Sequence, residues 1–348
     1  MASNKAAWLH KAGSPLEVGD APLPTAGPDE IIIRNAAIAI NPLDWHIQKL
    51  GVFVQQWPAA FGCDVAGEVY EVGSNAKGRF RVGDRVIGHT VSLITGRPQD
   101  GAFALYTTVP ANKAAILPES IPFTDGVVVP MAFESAICAL CVTTPGTALP
   151  GVPTPALGLP YPSLEPVSLN KTLVVYGGSS SVGSMTIQIA TAIGLSVIAI
   201  ASPANFDLCK RCGAVEAFDY RDADVVDKVV KAVKNTKNEF VGIFDAISTG
   251  ETYPNDLAIL AALGGGHLAC THPPPTEGVP GNVKAGMIFA VNDVATPVWR
   301  DFVTEALCSG RLICLPKKLV VGKGLEKIQE GLEKSEAGVS ATKLVIEL

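Results

Sequence analysis

Positive charge in excess is missing from this chain. Its 27 Lys and Arg residues stand against 33 Asp and Glu, a net charge of −6. Such a surface offers no basic field to a nucleic acid or an anionic membrane, and neither is expected as a partner. Long apolar runs are missing too. The longest, Leu257 to Cys270, is broken by Gly264, Gly265, Gly266 and His267 and falls short of a bilayer span. The opening residues, Met1-Ala-Ser-Asn-Lys-Ala-Ala-Trp8, lack the apolar core of a secretion signal, and no peroxisomal tripeptide closes the chain. The expected location is therefore the cytosol. Charged residues make up only 17% and apolar residues 48% of the 348 residues, enough material for a large core and two domains.

Cysteine is present, but not in the spacing of a metal site. Cys138-Ala-Leu-Cys141 and Cys209-Lys-Arg-Cys212 lie much further apart than the paired motifs of a zinc ribbon. The first pair shares a face of an apolar helical run, and the second falls in a helix after a strand. Both read as core or surface thiols, and a cytosolic setting disfavours disulfides.

What is present changes along the chain. Residues 1–125 hold short strands punctuated by turns, among them Glu30–Arg34, Ala36–Ile40, Val65–Val72 and Arg85–Gly88, which suggests a β-barrel-like domain. From 126 to 310, strands are expected near 172–177, 196–201, 214–219, 240–246, 264–270 and 284–290, with helices between most of them. Six strands in that order fit a doubly wound parallel sheet. The last segment, 311–348, is expected to pack back on the first domain. Between Thr144 and Asn170 lie seven prolines, a stretch too long for an ordinary loop. It reads equally as a lid or pocket wall and as a passive surface excursion.

The segment Thr172–Tyr176 runs into Gly177-Gly178-Ser179-Ser180-Ser181-Val182-Gly183 and then a helix. Strand, glycine turn and helix start are the layout of a dinucleotide site, where glycines admit the pyrophosphate and helix N–H groups face it. The strict G-x-G-x-x-G is not met, because serines stand between Gly178 and Gly183. The next strand ends in Ser202-Pro-Ala-Asn205, without the Asp or Glu that would accept a ribose 2′-OH. A hydroxyl and an amide donate to a 2′-phosphate instead. Lys210, Arg211 and Tyr220 follow nearby. The expected cofactor is NADPH, with its 2′-phosphate at Ser202, Asn205 and Tyr220.

Asn41-Pro-Leu-Asp-Trp45, Gly62-Cys-Asp-Val-Ala-Gly-Glu-Val69, Arg81-Val-Gly-Asp-Arg-Val86, Gly101-Ala-Phe-Ala104 and the Gly177–Gly183 turn follow one another in an order that resembles the medium-chain dehydrogenase/reductase superfamily, in its zinc-free quinone-oxidoreductase-like branch. Within that branch the chain is most similar to fungal trans-acting enoyl reductases of polyketide biosynthesis. The resemblance implies a GroES-like β-barrel domain plus a Rossmann domain with a six-stranded parallel sheet. It also makes a departure informative. Cys63 stands where zinc-dependent members have a histidine, no cysteine lies in Asn41–Trp45, and none occurs between Cys63 and Cys138. Asp44, Cys63 and Asp64 can be imagined as a zinc set, but the plain reading packs Cys63 and Asp64 at the domain junction, and no metal is expected.

By the same resemblance, Asp44 and Trp45 lie near the nicotinamide, Leu263 and Gly264 flank its half of the cofactor, and Val339 and Ser340 return to it. Met131, Phe133 and Ser135 on one side, and Met287, Ile288 and Phe289 on the other, are substrate candidates; the plain alternative for each is core packing. His46 suits proton donation near neutral pH, and Lys49 is a second candidate donor or oxyanion partner; solvent is the third source of the proton. Without a Lewis acid, the chemistry expected is hydride delivery to an activated C=C bond of an α,β-unsaturated carbonyl or thioester, held on a small molecule or a carrier protein, with a polyketide synthase as the candidate partner. A stand-alone quinone or enone reductase of detoxification is the alternative enzyme. A non-catalytic NADPH-binding sensor is the alternative of another class.

Overall fold

The structure is a computed structural model that describes residues 3–348. The chain forms two compact units.

The first unit opens with β1 (Asn4–Trp8) and β2 (Glu17–Ala21), an antiparallel ribbon. β3 (Glu30–Ile40), β4 (Asp64–Val72), β5 (Arg85–His89), β6 (Tyr106–Pro110) and β7 (Ala114–Ile116) pair antiparallel along the path β3-β4-β5-β7, with β6 on β3. β3 is long enough to change partner midway, and its register with β4 shifts between Asn35 and Ala37. The gap is filled by the buried Asn35 amide, which donates to Ala104 O and Thr107 Oγ1, both at 2.8 Å. The coiled sheet encloses Ile31, Ile33, Ile38, Phe61, Val65 and Phe103. The helices here are α1 (Pro42–Leu50), α2 (Ser92–Thr95), α3 (Phe123–Gly126) and α4 (Pro130–Leu140); the units divide inside α4, between Met131 and Ala132.

The second unit begins with a small hairpin in the proline-rich stretch, β8 (Thr147–Leu149) with β9 (Val152–Pro153). There follow β10 (Lys171–Tyr176), α5 (Ser181–Ile193), β11 (Ser196–Ala201), α6 (Phe206–Arg211), β12 (Glu216–Asp219), α7 (Val225–Thr236), β13 (Glu239–Asp245), α8 (Tyr253–Ala262), β14 (Gly266–Cys270) and β15 (Val283–Met287). The six strands β10–β15 are parallel, in the order β12-β11-β10-β13-β14-β15. This is the 3-2-1-4-5-6 order of the dinucleotide fold, with the switch point between β10 and β13. Their apolar runs (Val174, Ile198, Ile200, Ile243 and Leu268) are buried, as parallel strands covered on both faces require. The proline-rich stretch lies on the sheet's edge strand: a Cβ at Gly286 of β15 would sit 2.7 Å from Pro153 O.

α9 (Thr296–Asp301) and α10 (Val303–Cys308) come next. Trp299–Cys308 and Lys317–Leu348 belong to the first unit. There β16 (Lys317–Lys323) and β17 (Thr342–Glu347) are parallel neighbours with α11 (Ile328–Ala337) between them, and β17 adds antiparallel to the second half of β3. Among the described residues one helical stretch, Phe123–Leu140, is long and apolar enough to cross a bilayer; 78% of it is buried inside the protein, as a core helix is.

Candidate functional site

The second unit carries a candidate nucleotide site at the carboxyl ends of its strands. β10 delivers Gly177, whose φ of 71° lies in the left-handed region that favours glycine. A Cβ there would meet Ile247 Cγ1 at 2.6 Å, and one at Gly183 would meet Gly177 O at 2.2 Å. The turn closes only because both positions lack side chains. Ser180 caps α5, its Oγ accepting from Gly183 N at 3.0 Å. Ser181 Oγ is buried with no hydrogen-bond partner. An orphaned hydroxyl at the start of a 13-residue helix, beside first-turn N–H groups without intrahelical acceptors, fits an anionic phosphate. The turn as a whole fits a dinucleotide pyrophosphate.

The loop after β11 leans on this turn. Ser202 starts a short 3₁₀ turn, and Asn205 Nδ2 donates to Ser179 Oγ at 3.3 Å. Lys210 and Arg211 occupy the last turn of α6, at the far end of that helix from the Ser202–Asn205 loop. Tyr220 follows β12 and is 45% exposed. Arg221, which the sequence reading passed over, lies with its guanidinium 5.4 Å from the Tyr220 ring centroid. It is forked onto Asp219 at 3.0 and 3.1 Å and holds that carboxyl below its usual range. Its signal was available: a cation adjoining the tyrosine already assigned to a 2′-phosphate.

Asp245, at the end of β13, organises the next loop. Its carboxylate accepts from Ile247 N at 2.8 Å and Thr252 Oγ1 at 2.5 Å, while Ser248 Oγ donates to Asp245 O at 2.7 Å and accepts from Thr271 N at 2.8 Å. The neighbouring Asp256 carboxyl is pushed well above its ordinary range by burial and then by Asp245. Ile247 is thereby set against Gly177.

Leu263 and Gly264, expected to flank the nicotinamide half of the cofactor, stand elsewhere. Leu263 is the C-cap of α8 and Gly264 follows it, so both precede β14. In a parallel sheet the entry to a strand is the edge opposite its exit, and five residues span roughly 15 Å. Leu263 and Gly264 therefore lie on the edge away from the phosphate turn, and Leu263 packs on the core. The residues that leave β13 and β14 on the cofactor's edge are Asp245–Ser248 and Thr271. Met287, Ile288 and Phe289 leave β15 on that same edge, with Ile288 N donating to Cys270 O at 2.8 Å. Phe133 and Ser135 are wholly buried in α4.

The first unit holds the other group of named residues. Asn41 caps α1, and Asp44 in its first turn accepts from Asn41 N at 2.7 Å. The Trp45 and His46 rings stack with centroids 3.6 Å apart. Lys49 is ion-paired with Glu336 of α11, and its Nζ sits 5.9 Å from the Trp45 ring centroid. Val339 and Ser340 are exposed in the turn between α11 and β17. Met131 N donates to Asp64 Oδ1 at 2.6 Å. Asp64 Oδ2 also receives Asn41 Nδ2 at 2.8 Å and Lys343 Nζ at 2.9 Å.

These groups do not fit a zinc ion. Asp64 has both oxygens engaged, one by an ammonium that a divalent cation would have to displace. The Cys63 thiol is held well above its ordinary range by burial, then by Asp44 and Asp64, the wrong direction for a thiolate ligand. Asp44 is itself raised to about 7, chiefly by burial. Among the described residues no group of three or more His, Cys, Asp or Glu side chains is arranged to hold a metal.

One unit with a coiled barrel and another with a 3-2-1-4-5-6 sheet and a glycine–serine phosphate turn define a nicotinamide-dependent oxidoreductase of the medium-chain dehydrogenase/reductase superfamily, and the chain belongs to that family. Residues 27–119 match the profile of the alcohol dehydrogenase GroES-like domain, and residues 181–280 match that of the zinc-binding dehydrogenases. The chain is 68% identical to the dehydrogenase orsE of Emericella nidulans, over 100% of both chains. It is 39% identical to the trans-enoyl reductase himH of Aspergillus japonicus, over 99% of this chain and 97% of the other. The fold is shared with the quinone oxidoreductase of Escherichia coli complexed with NADPH, at a TM-score of 0.72 and 18% identity, covering 99% and 100% of the two chains.

Proposed function

We propose that this reductase uses NADPH, needs no zinc, and reduces the C=C bond of an α,β-unsaturated carbonyl or thioester as a trans-acting enoyl reductase of polyketide metabolism in the cytosol. The observation that carries the reading is Asp64, whose lone pairs are spent on Met131 N–H, Asn41 and the Lys343 ammonium. With no Lewis acid to polarise a ketone, the chemistry accessible to hydride is conjugate addition. The trans-enoyl reductase named among the relatives supports this choice.

When bound, the cofactor supplies the hydride. The chain's own residues do the rest. Gly177–Gly183 and the start of α5 bind the pyrophosphate, and Ser202, Asn205, Tyr220 and Arg221 receive the 2′-phosphate. A loop with one hydroxyl, one amide and no carboxylate at the end of the second strand favours a phosphate over a bare ribose hydroxyl. Hydride arriving at the substrate's β-carbon leaves an enolate, which takes a proton at the α-carbon. His46, half-buried and stacked on Trp45, is the residue proposed to give it. Met287, Ile288 and Phe289 are the proposed apolar contacts of the acyl chain. The partner is an acyl group on a small molecule or on a carrier protein.

The test is oxidation of NADPH and NADH against a panel of enones, quinones and enoyl thioesters, free and carrier-bound. Preference for NADPH and for enoyl thioesters is expected. Binding of NADPH without turnover of any substrate contradicts the reading, and equal rates on free quinones make the protein a detoxifying reductase.

A further inference from the structure

Lys343 is 97% buried, with only 3% of its side chain exposed, and its partner Asp64 is wholly buried. The ammonium donates to Asn41 Oδ1 at 2.5 Å and to Asp64 Oδ2 at 2.9 Å. Asn41 Nδ2 donates to the same Asp64 oxygen at 2.8 Å. Asn41 is therefore gripped at both ends of its amide, by a cation and by a carboxylate. Its backbone N–H is taken by Asp44. Four segments meet at this point: the cap of α1, the start of β4, the first turn of α4 through Met131, and β17.

A buried ion pair is a poor source of stability, because desolvating two charges offsets most of their attraction. An apolar pair of similar volume would hold these segments together as well. What the apolar pair lacks is direction. The charges fix which way the Asn41 amide faces, and Asn41 is the N-cap of the helix that carries Trp45 and His46.

We propose that Lys343 is a positioning residue for the reduction: by orienting the Asn41 cap it sets α1, and with it His46 and Trp45, in the geometry that turnover requires. The inference rests on the reductase reading above. Its electrostatic signature follows from the same cluster. Asp44 faces Asp64 and Cys63 from the β4 side and Lys343 from β17, while the Lys49–Glu336 pair joins the other end of α1 to α11. Among the groups acting on Asp44, Lys343 opposes its proton uptake and Asp64 favours it. Loss of the ammonium thus moves any Asp44 ionisation in the rate profile to higher pH.

The experiment compares wild type with Lys343→Met and with the double variant Lys343→Met/Asp64→Asn, which removes both buried charges and so folds where the single variant leaves an unpaired carboxylate. Steady-state kcat, KM for NADPH, the pH profile of kcat and thermal unfolding are measured for each. Loosening the helix start is expected to lower kcat about 10- to 100-fold in both variants, with KM for NADPH within about threefold of wild type. The inflection of the single variant's profile moves to higher pH. If either folded variant keeps kcat within about twofold with an unmoved profile, while only its melting temperature falls, Lys343 is structural and the inference is overturned. A wild type that binds NADPH but turns over nothing sinks the reductase reading and this inference together; an active wild type with unaffected variants sinks this inference alone.

Discussion

The two units build their clusters by opposite means. The nucleotide cluster of the second unit is made of backbone and small polar side chains within seven consecutive residues, Gly177 to Gly183, with a few additions from the ends of neighbouring strands. The cluster of the first unit is made of buried charged and polar groups: Asp44, Asp64 and Lys343 converge from across the chain with the Asn41 amide and the Met131 N–H. The first kind of site tolerates almost no added volume. The second is set by which of its groups carry charge.

The largest effect should come from breaking the first kind. Gly183→Ala places a Cβ 2.2 Å from a backbone oxygen of its own turn. It should weaken NADPH binding by at least ~100-fold, about 2.7 kcal/mol, in calorimetric titration. Gly78→Ala, with open space around it, should bind normally.

Breaking the second kind is read in pH. Burial first, then Asp64, raises Asp44 from 3.8 to about 7. The folded protein therefore holds this proton more tightly than the unfolded chain does. The stabilisation is fully present below about pH 4 and is lost as pH rises through about 7. Asp44→Asn removes that dependence. It should gain stability relative to wild type between pH 5 and pH 8, by roughly 2 kcal/mol, in denaturant unfolding at the two values. An identical pH dependence in both proteins would mean Asp44 is ionised throughout.

Smaller effects sharpen the cofactor assignment. Ser202→Asp should shift preference from NADPH toward NADH by about tenfold. Arg221→Ala should weaken NADPH a few-fold at most, with no change for NADH, because the exposed guanidinium is screened by water and shared with Asp219. Leu263→Ala should leave both cofactor affinities unchanged, since it lies on the opposite edge of the sheet.

The same contrast explains what could be read from sequence. Periodicity and turn residues located all six parallel strands to within a few residues, because each is a short apolar run between glycine and polar breaks. The phosphate turn was legible for the same local reason. Leu263 and Gly264 were misplaced because a residue's distance from a motif along the chain does not say which edge of a parallel sheet it occupies. Asp245 was missed because its role is to hold loop backbone, which no composition signal marks. The proline-rich stretch was seen, but not that it lies on β15, where Gly286 leaves room for it. Lys343 looked like any lysine in a terminal strand, and its burial against Asp64 is visible only in three dimensions.

Hydride transfer to an activated double bond without a metal is the proposal on which the functional reading depends. The most direct measurement is NADPH-dependent reduction of an enoyl thioester before and after exhaustive chelation, with the zinc content of the protein determined in parallel. An unchanged rate in zinc-free protein is predicted. A rate that falls with chelation and returns on adding zinc would contradict it.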